Sequence, residues 1–98
     1  MSYAKGTLIH ISAEFEAYVE GTLQYVDPTA VFCKYKTPGQ PTTTLVYNTD
    51  AALVKSAVGK YYVDIDAQIP GRWYYKFYST GTYQGAKEGS FDIDEDNV

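Results

Sequence analysis

The chain has 98 residues, which is enough for one small domain, and aromatic side chains make up 16% of it, eleven of them Tyr. Its net charge of −4 at pH 7 argues against a protein that binds nucleic acid, because phosphate contacts require clustered Lys and Arg. A single cysteine, Cys33, excludes an internal disulfide and a cysteine-based zinc site, and we expect it to be a small buried residue.

No part of the sequence approaches the roughly 20 consecutive apolar residues that a membrane helix needs, so we expect no membrane partner. The first residues contain no apolar run of the kind found in a signal peptide. The sequence therefore predicts synthesis in the cytoplasm of the cell that makes the protein.

Alternation of apolar and polar residues with a period of two recurs along the chain, which predicts strands rather than helices. The first predicted strand runs over residues 7–19, with Ile9 and Ile11 on its apolar face and His10 on its wet face. The segment GTLQYVDP, residues 21–28, is predicted to be a connection because Asp-Pro favours a turn. Further strands are predicted at residues 30–36, 42–48, 53–54, 60–67, 72–79 and 88–94.

Six or seven short strands, with turn signals every 8 to 12 residues, are typical of an antiparallel β-sandwich. We therefore predict an all-β, immunoglobulin-like β-sandwich of about seven strands that spans residues 1–98, with Trp73 as its core anchor. The lack of a cysteine pair excludes an antibody-type domain. An acidic segment, residues 94–98, is predicted to be a flexible tail.

The segment PGRWYYKFYSTG, residues 70–81, concentrates aromatic and cationic side chains. Alternate residues are predicted to face the core: Trp73, Tyr75 and Phe77. The residues between them are predicted to face outward: Tyr74, Lys76 and Tyr78. Tyr62, on the adjacent predicted strand, also faces outward, so an exposed aromatic strip is expected. Two interpretations stay open: a contact surface, or cross-strand aromatic pairing that stabilises the sheet.

Three segments together resemble the small immunoglobulin-like structural proteins of tailed bacteriophages: DPTAVFCKYKTPGQPTTTLVYN (27–48), GKYYVDIDAQIPGRWYYKFYSTG (59–81) and AKEGSFDI (86–93). The resemblance covers about two thirds of the chain. It implies a non-enzymatic virion protein that acts by protein–protein contact, in head decoration or head–tail connection. The implied partners are other virion proteins, such as capsid or neck protein, and further copies of this chain on the virion.

The residues expected to bind a partner are Tyr62, Tyr74, Lys76, Tyr78 and Tyr83, together with both termini. No catalytic residue and no cofactor is predicted, because Cys33 and the single histidine, His10, lie on different predicted strands. An alternative function is a carbohydrate-binding or adhesin-like immunoglobulin-like module, in which exposed Tyr rings stack on sugars.

Asp64 and Asp66 project from the same face of one predicted strand and form a weak candidate for a calcium site. Their carboxylates would meet those of Asp92 and Asp94 if the last strand lay beside residues 59–66. The sequence lacks the spacing of an EF-hand loop, so a solvated acidic strand face is the competing interpretation.

Overall fold

The computed structural model describes residues 2–95 of the chain, and within this range all regular structure is β-strand. The strands, in chain order, are β1 (Ser2–Tyr3), β2 (Thr7–Glu14), β3 (Glu16–Val19), β4 (Thr22–Tyr25), β5 (Ala30–Lys36), β6 (Thr42–Val46), β7 (Leu53–Ala57), β8 (Lys60–Ala67), β9 (Gly71–Thr80) and β10 (Ala86–Ile93). Among residues 2–95 there is no helix that could span a membrane.

The strands form three sheets. A five-stranded sheet has the order β1-β10-β9-β5-β6, a three-stranded sheet has the order β2-β8-β7, and β3 and β4 pair only with each other among residues 2–95. The short β1 runs parallel to β10, and the other described pairs are antiparallel. The prediction of an all-β, mainly antiparallel fold is confirmed, with ten strands in the described range where about seven were expected.

The five-stranded and three-stranded sheets face each other over one core, which is the arrangement of a β-sandwich. The larger sheet contributes inward side chains that include Val31, Cys33, Trp73, Phe77, Phe91 and Ile93. The smaller sheet contributes Ile9, Ile11, Ala13, Leu53, Tyr61, Val63, Ile65 and Ala67. The predicted anchor is buried as expected. The Trp73 ring stacks between Tyr35 and Phe91, and its indole N–H donates a 2.9 Å hydrogen bond to the carbonyl of Ile69.

The strand predicted over residues 7–19 is interrupted at Phe15. The Phe15 N–H donates to the carbonyl of Gly59 at 2.7 Å, and the Phe15 carbonyl accepts from the N–H of Val26 at 3.0 Å. The chain beyond this point turns through Glu20 and Gly21, with φ of 51° and 80°, and returns as β4. The predicted connection at residues 21–28 is therefore wrong for Thr22–Tyr25, which form a strand. We call residues 16–25 the hairpin arm.

The acidic segment predicted as a tail begins next to β1. The Asp94 N–H donates to the carbonyl of Tyr3 at 2.8 Å, and its carboxylate accepts a 3.1 Å hydrogen bond from the Ser2 hydroxyl. Residues 96–98 lie outside the described residues, so the flexible tail over 94–98 stays a prediction.

Candidate functional site

The outer surface of the five-stranded sheet carries aromatic and cationic side chains from two neighbouring strands. In the register of β5 and β9, Lys36 lies opposite Tyr74, Lys34 opposite Lys76, and Phe32 opposite Tyr78. We call this surface the cationic face, defined by Phe32, Lys34, Lys36, Tyr74, Lys76 and Tyr78. The structure thus brings together three of the five predicted contact residues: Tyr74, Lys76 and Tyr78.

The two tyrosine rings of the cationic face differ in how much they contact neighbouring side chains of the sheet. Tyr78 is half-buried and stacks on Phe32, with ring centroids 5.0 Å apart, and the ammonium groups of Lys34 and Lys76 lie 5.7 and 5.9 Å from its centroid. Tyr74 has 54% of its surface exposed. Cross-strand pairing therefore accounts for Tyr78. It does not account for Tyr74, whose ring remains accessible to a partner.

Positive charge is concentrated on this face although the whole chain carries a net charge of −4. Lys34, Lys36 and Lys76 lie side by side across β5 and β9, and the nearest described carboxylate, that of Glu88, is 3.7 Å from the Lys76 ammonium. Tyr74 and the three lysines line a shallow depression of about 380 Å³. The arrangement suits a partner that offers both carboxylates and apolar side chains.

The same outer sheet surface also carries an ion pair between Arg72 on β9 and Asp92 on β10. The Arg72 guanidinium donates to both carboxylate oxygens of Asp92, at 2.9 and 3.2 Å. The hydrogen bond from Arg72 holds the pKa of Asp92 below its usual value. Because this pair neutralises itself, the positive charge of the surface comes from the three lysines, and Glu88 offsets part of it.

Tyr62 does not belong to this surface, which corrects the prediction of a continuous tyrosine strip. It lies on β8, which pairs with β2 and β7, so its side chain is on the outer side of the opposite sheet. There its ring is 4.8 Å from the imidazole of His10. The physical reason is that residues 68–70 carry the chain from one sheet to the other, whereas the two strands were expected to be adjacent.

Tyr83 is also separate from the cationic face. It lies in the loop between β9 and β10 with φ of 62°, a conformation that bulky residues rarely adopt. The Ser79 hydroxyl donates to the Tyr83 carbonyl at 3.1 Å and accepts from the N–H of Gly85 at 2.8 Å, which holds the loop in place. Tyr83 is exposed at the end of the sandwich, beside Phe15 and Glu16.

The sheet order rules out the convergence of four carboxylates that was considered for the weak calcium candidate. β10 pairs with β9 and β1 in the five-stranded sheet, so Asp92 does not lie beside Asp64 and Asp66 on β8. Asp64 Oδ1 instead lies 2.7 Å from Nδ1 of His10, and Asp66 accepts a hydrogen bond from the Gln68 side chain. The described part of the chain holds no cluster of three or more His, Cys, Asp or Glu side chains suited to a metal ion.

The hairpin arm is a second exposed surface, and sequence reasoning missed it. Tyr18, Leu23 and Tyr25 share one side of the arm and are 76%, 51% and 42% exposed. The signal that could have revealed it is alternation on both sides of Glu20-Gly21. Both turn residues have positive φ, as in a type I′ turn, but Glu is not among the residues that usually announce such a turn.

The base of the hairpin arm is fixed by one carboxylate. Asp27 accepts hydrogen bonds from the Lys55 ammonium at 2.7 Å, the Gly59 N–H at 2.9 Å and the Tyr61 hydroxyl at 3.1 Å. The hydrogen bonds from Lys55 and Gly59 lower the pKa of Asp27. Burial, reinforced by Asp27, raises the pKa of Tyr61 to about 12. The arm therefore leaves the sandwich from a rigid anchor.

Cys33 faces the core, as predicted. It has no exposed surface, and burial raises the pKa of its thiol to about 12. His10 lies on the outer side of the other sheet, paired with Asp64. The only thiol and the only imidazole of the chain are therefore on opposite sides of the three-stranded sheet and cannot act as a nucleophile and its base.

Comparison of the chain with protein-family models, with curated proteins and with solved structures gave no match.

Proposed function

We propose that this chain is a non-enzymatic structural module that acts by protein–protein contact through its cationic face. The observation that carries the proposal is Tyr74, which is 54% exposed and stands among Lys34, Lys36 and Lys76 on an outer sheet surface. Tyr is enriched among the residues that contribute most to binding at protein interfaces, and a polar rim surrounds such residues, a place that the three lysines would take. The buried, high-pKa thiol of Cys33 supports a role other than nucleophilic catalysis.

The biological setting that we propose is the virion of a tailed bacteriophage, in head decoration or head–tail connection. Its support is the resemblance of residues 27–48, 59–81 and 86–93 to small immunoglobulin-like virion proteins. In this setting the partners are capsid or neck proteins, and the protein is made in the host cytoplasm and then resides on the particle.

We further propose that the sandwich is of the immunoglobulin type. Without β1 and the hairpin arm, seven strands remain in the described chain. Three form the order β2-β8-β7 and four form the order β10-β9-β5-β6. In immunoglobulin-like domains, strands B, E and D share one sheet and G, F and C share the other, with C′ beside C in some members. Assigning β2 as B, β5 as C and the following strands in sequence reproduces both orders.

The experiment that tests the contact function measures binding of the protein to purified tailed particles from a lysate in which it is expressed. We expect the wild type to sediment with the particles and Tyr74→Glu to lose at least tenfold in affinity. Leu8→Glu is the matched control, because Leu8 is exposed on the outer side of the opposite sheet. Equal binding of wild type and Tyr74→Glu would rule out the cationic face as the contact.

A carbohydrate-binding function has one observation in its favour, the depression of about 380 Å³ beside Tyr74. An exposed ring next to polar side chains is able to stack on a sugar. Binding of the wild type, but not Tyr74→Ala, to immobilised glycans would support this second candidate. A glycan array without signal, together with particle binding, would reject it.

A further inference from the structure

We propose that the cationic face of one copy receives the hairpin arm of a second copy, so that copies of this chain associate head to tail. This inference deepens the proposed contact function and rests on it, since it uses the same face. Three observations lead to it: the chemistry of the arm, the chemistry of the face, and their positions in the molecule.

The hairpin arm combines acidic and apolar side chains. It carries Glu16 and Glu20 and no described cation of its own, while Tyr18 and Leu23 expose 76% and 51% of their surface on one side. A two-stranded hairpin is at most marginally stable when it stands alone in water. Within the described chain neither β3 nor β4 pairs with a further strand. One side of the arm, with Ala17 and Val19, packs against the core, so the other side, with Tyr18 and Leu23, is the side exposed to a partner.

The cationic face has the charge and the apolar surface that complement those of the hairpin arm. Lys34, Lys36 and Lys76 supply positive charge next to the exposed Tyr74 ring, and one carboxylate, that of Glu88, lies near them at 3.7 Å from Lys76. Two acidic residues and two apolar side chains of the arm match this mixture of charge and apolar surface. Two arms placed against each other would instead bring their glutamates together, which disfavours a symmetric arm-to-arm contact.

The molecule is elongated, with extents of 56 × 25 × 18 Å, and the arm and the depression are separate surfaces on it. The arm leaves the end where Gly59 lies against Phe15 and Val26. The depression begins in the middle of β9, at Tyr74 and Lys76, and extends towards the end of the sheet where Lys36 pairs with Thr42. The proposed contact joins two different surfaces, the arm of one copy and the depression of another. Such a heterologous contact generates a ring or an open chain.

The test uses two variants that each destroy one surface. Tyr18→Ser/Leu23→Ser removes the apolar side of the arm, and Tyr74→Glu/Lys76→Glu reverses the face; all four positions lie outside the buried core. Mass is followed by sedimentation velocity over a concentration series, and thermal unfolding verifies that each variant folds. We expect the wild type to form species larger than a dimer and each variant alone to be a 10.9 kDa monomer.

The decisive sample is the equimolar mixture of the two variants. The mixture has one intact arm and one intact face on different molecules, so we expect a heterodimer of twice the monomer mass and nothing larger. A mixture that remains monomeric overturns the head-to-tail contact, and so does a wild type that is monomeric throughout the series. We also expect the association to weaken as salt is raised, because the paired charges are solvent-exposed.

A second pair of variants tests the same contact without removing the apolar side chains of the arm. Glu16→Lys/Glu20→Lys and Lys34→Glu/Lys76→Glu each place like charges against each other in a homogeneous sample. We expect each to lower self-association at least tenfold and the mixture to restore it. A mixture that stays as weak as its components contradicts the proposal. Particle binding by a wild type that stays monomeric would leave the proposed function standing and remove this inference alone.

Discussion

Asp27 and Tyr61 join the hairpin arm to the core: the Tyr61 hydroxyl donates a 3.1 Å hydrogen bond to a carboxylate that also binds Lys55 and the Gly59 N–H. The donors come from β7, β8 and the turn between them, whereas Asp27 follows the arm. Asp27→Ala leaves the Gly59 N–H without this acceptor. We expect a loss of about 1–2 kcal/mol in the free energy of unfolding, discounted for the partial exposure of Asp27.

The same carboxylate makes stability depend on acid pH. Because hydrogen bonds from Lys55 and Gly59 lower the pKa of Asp27, the folded protein binds this proton less readily than the unfolded chain. The stabilisation is present above the unfolded pKa of about 3.9 and is lost as pH falls through the lower folded pKa.

Urea unfolding at pH 7 and at pH values below 4 measures this contribution. We expect the difference in unfolding free energy between wild type and Asp27→Asn to be largest at pH 7 and to shrink in acid. Asp66→Asn is the control, because the carboxylate of Asp66 accepts from the flexible Gln68 side chain at the surface. A difference for Asp27→Asn that does not change with pH would contradict this role.

Gly59 is the second element of the arm's anchor. Its φ is 71°, and a Cβ atom at this position would lie 2.6 Å from the carbonyl oxygen of Phe15 and 2.8 Å from that of Val26. Because both are backbone atoms of the hydrogen-bonded base, they cannot move away cheaply. We expect Gly59→Ala to lower the free energy of unfolding by more than about 2 kcal/mol.

Gly39→Ala is the matched control for that substitution. Gly39 has a similar φ of 75°, but a Cβ atom there would meet nothing within 4 Å. We therefore expect Gly39→Ala to lower the free energy of unfolding by about 1–2 kcal/mol, the cost of the left-handed backbone conformation alone. Chemical denaturation of both variants separates backbone strain from the clash, and equal losses would show that the close approach at Gly59 is not important.

Trp73 and Tyr74 are neighbours that face opposite sides of the same strand. Trp73 is buried between Tyr35 and Phe91, so we expect Trp73→Ala to cost about 3–5 kcal/mol. Tyr74→Ala, on the cationic face, should change stability by no more than about 0.5 kcal/mol. Thermal melts compare the two. A melt of Tyr74→Ala that falls as far as that of Trp73→Ala would place the Tyr74 ring in the fold and remove it from the contact surface.

Where alternation and burial coincide, the sequence predicts strands accurately. β5 occupies residues 30–36 and β8 occupies residues 60–67, as expected, because every second residue of each strand points into one apolar core. The same rule places Tyr74, Lys76 and Tyr78 on a common outer face. Period-two alternation therefore predicts the side of a strand on which a residue lies.

Alternation does not predict which sheet a strand joins, and this explains the error at Tyr62. The connection between β8 and β9 is short enough for a hairpin. Instead, Gly71 adopts φ of 124° and the Ile69 carbonyl accepts from Trp73, so the chain crosses between sheets. The hairpin arm escaped prediction for a local reason, because Glu20 takes a positive φ that is rare for its residue type.

The rate at which the Cys33 thiol is labelled measures how often the sandwich opens. Its thiol is fully buried and its pKa is raised to about 12 by burial, so the native protein holds almost no accessible thiolate at pH 8. We expect labelling by a disulfide reagent to be negligible in the native protein and complete in denaturant. Because labelling requires opening of the core, Gly59→Ala should be labelled at least tenfold faster than wild type, and Gly39→Ala less so. Rapid labelling of the native wild type would contradict the burial of Cys33 between the two sheets.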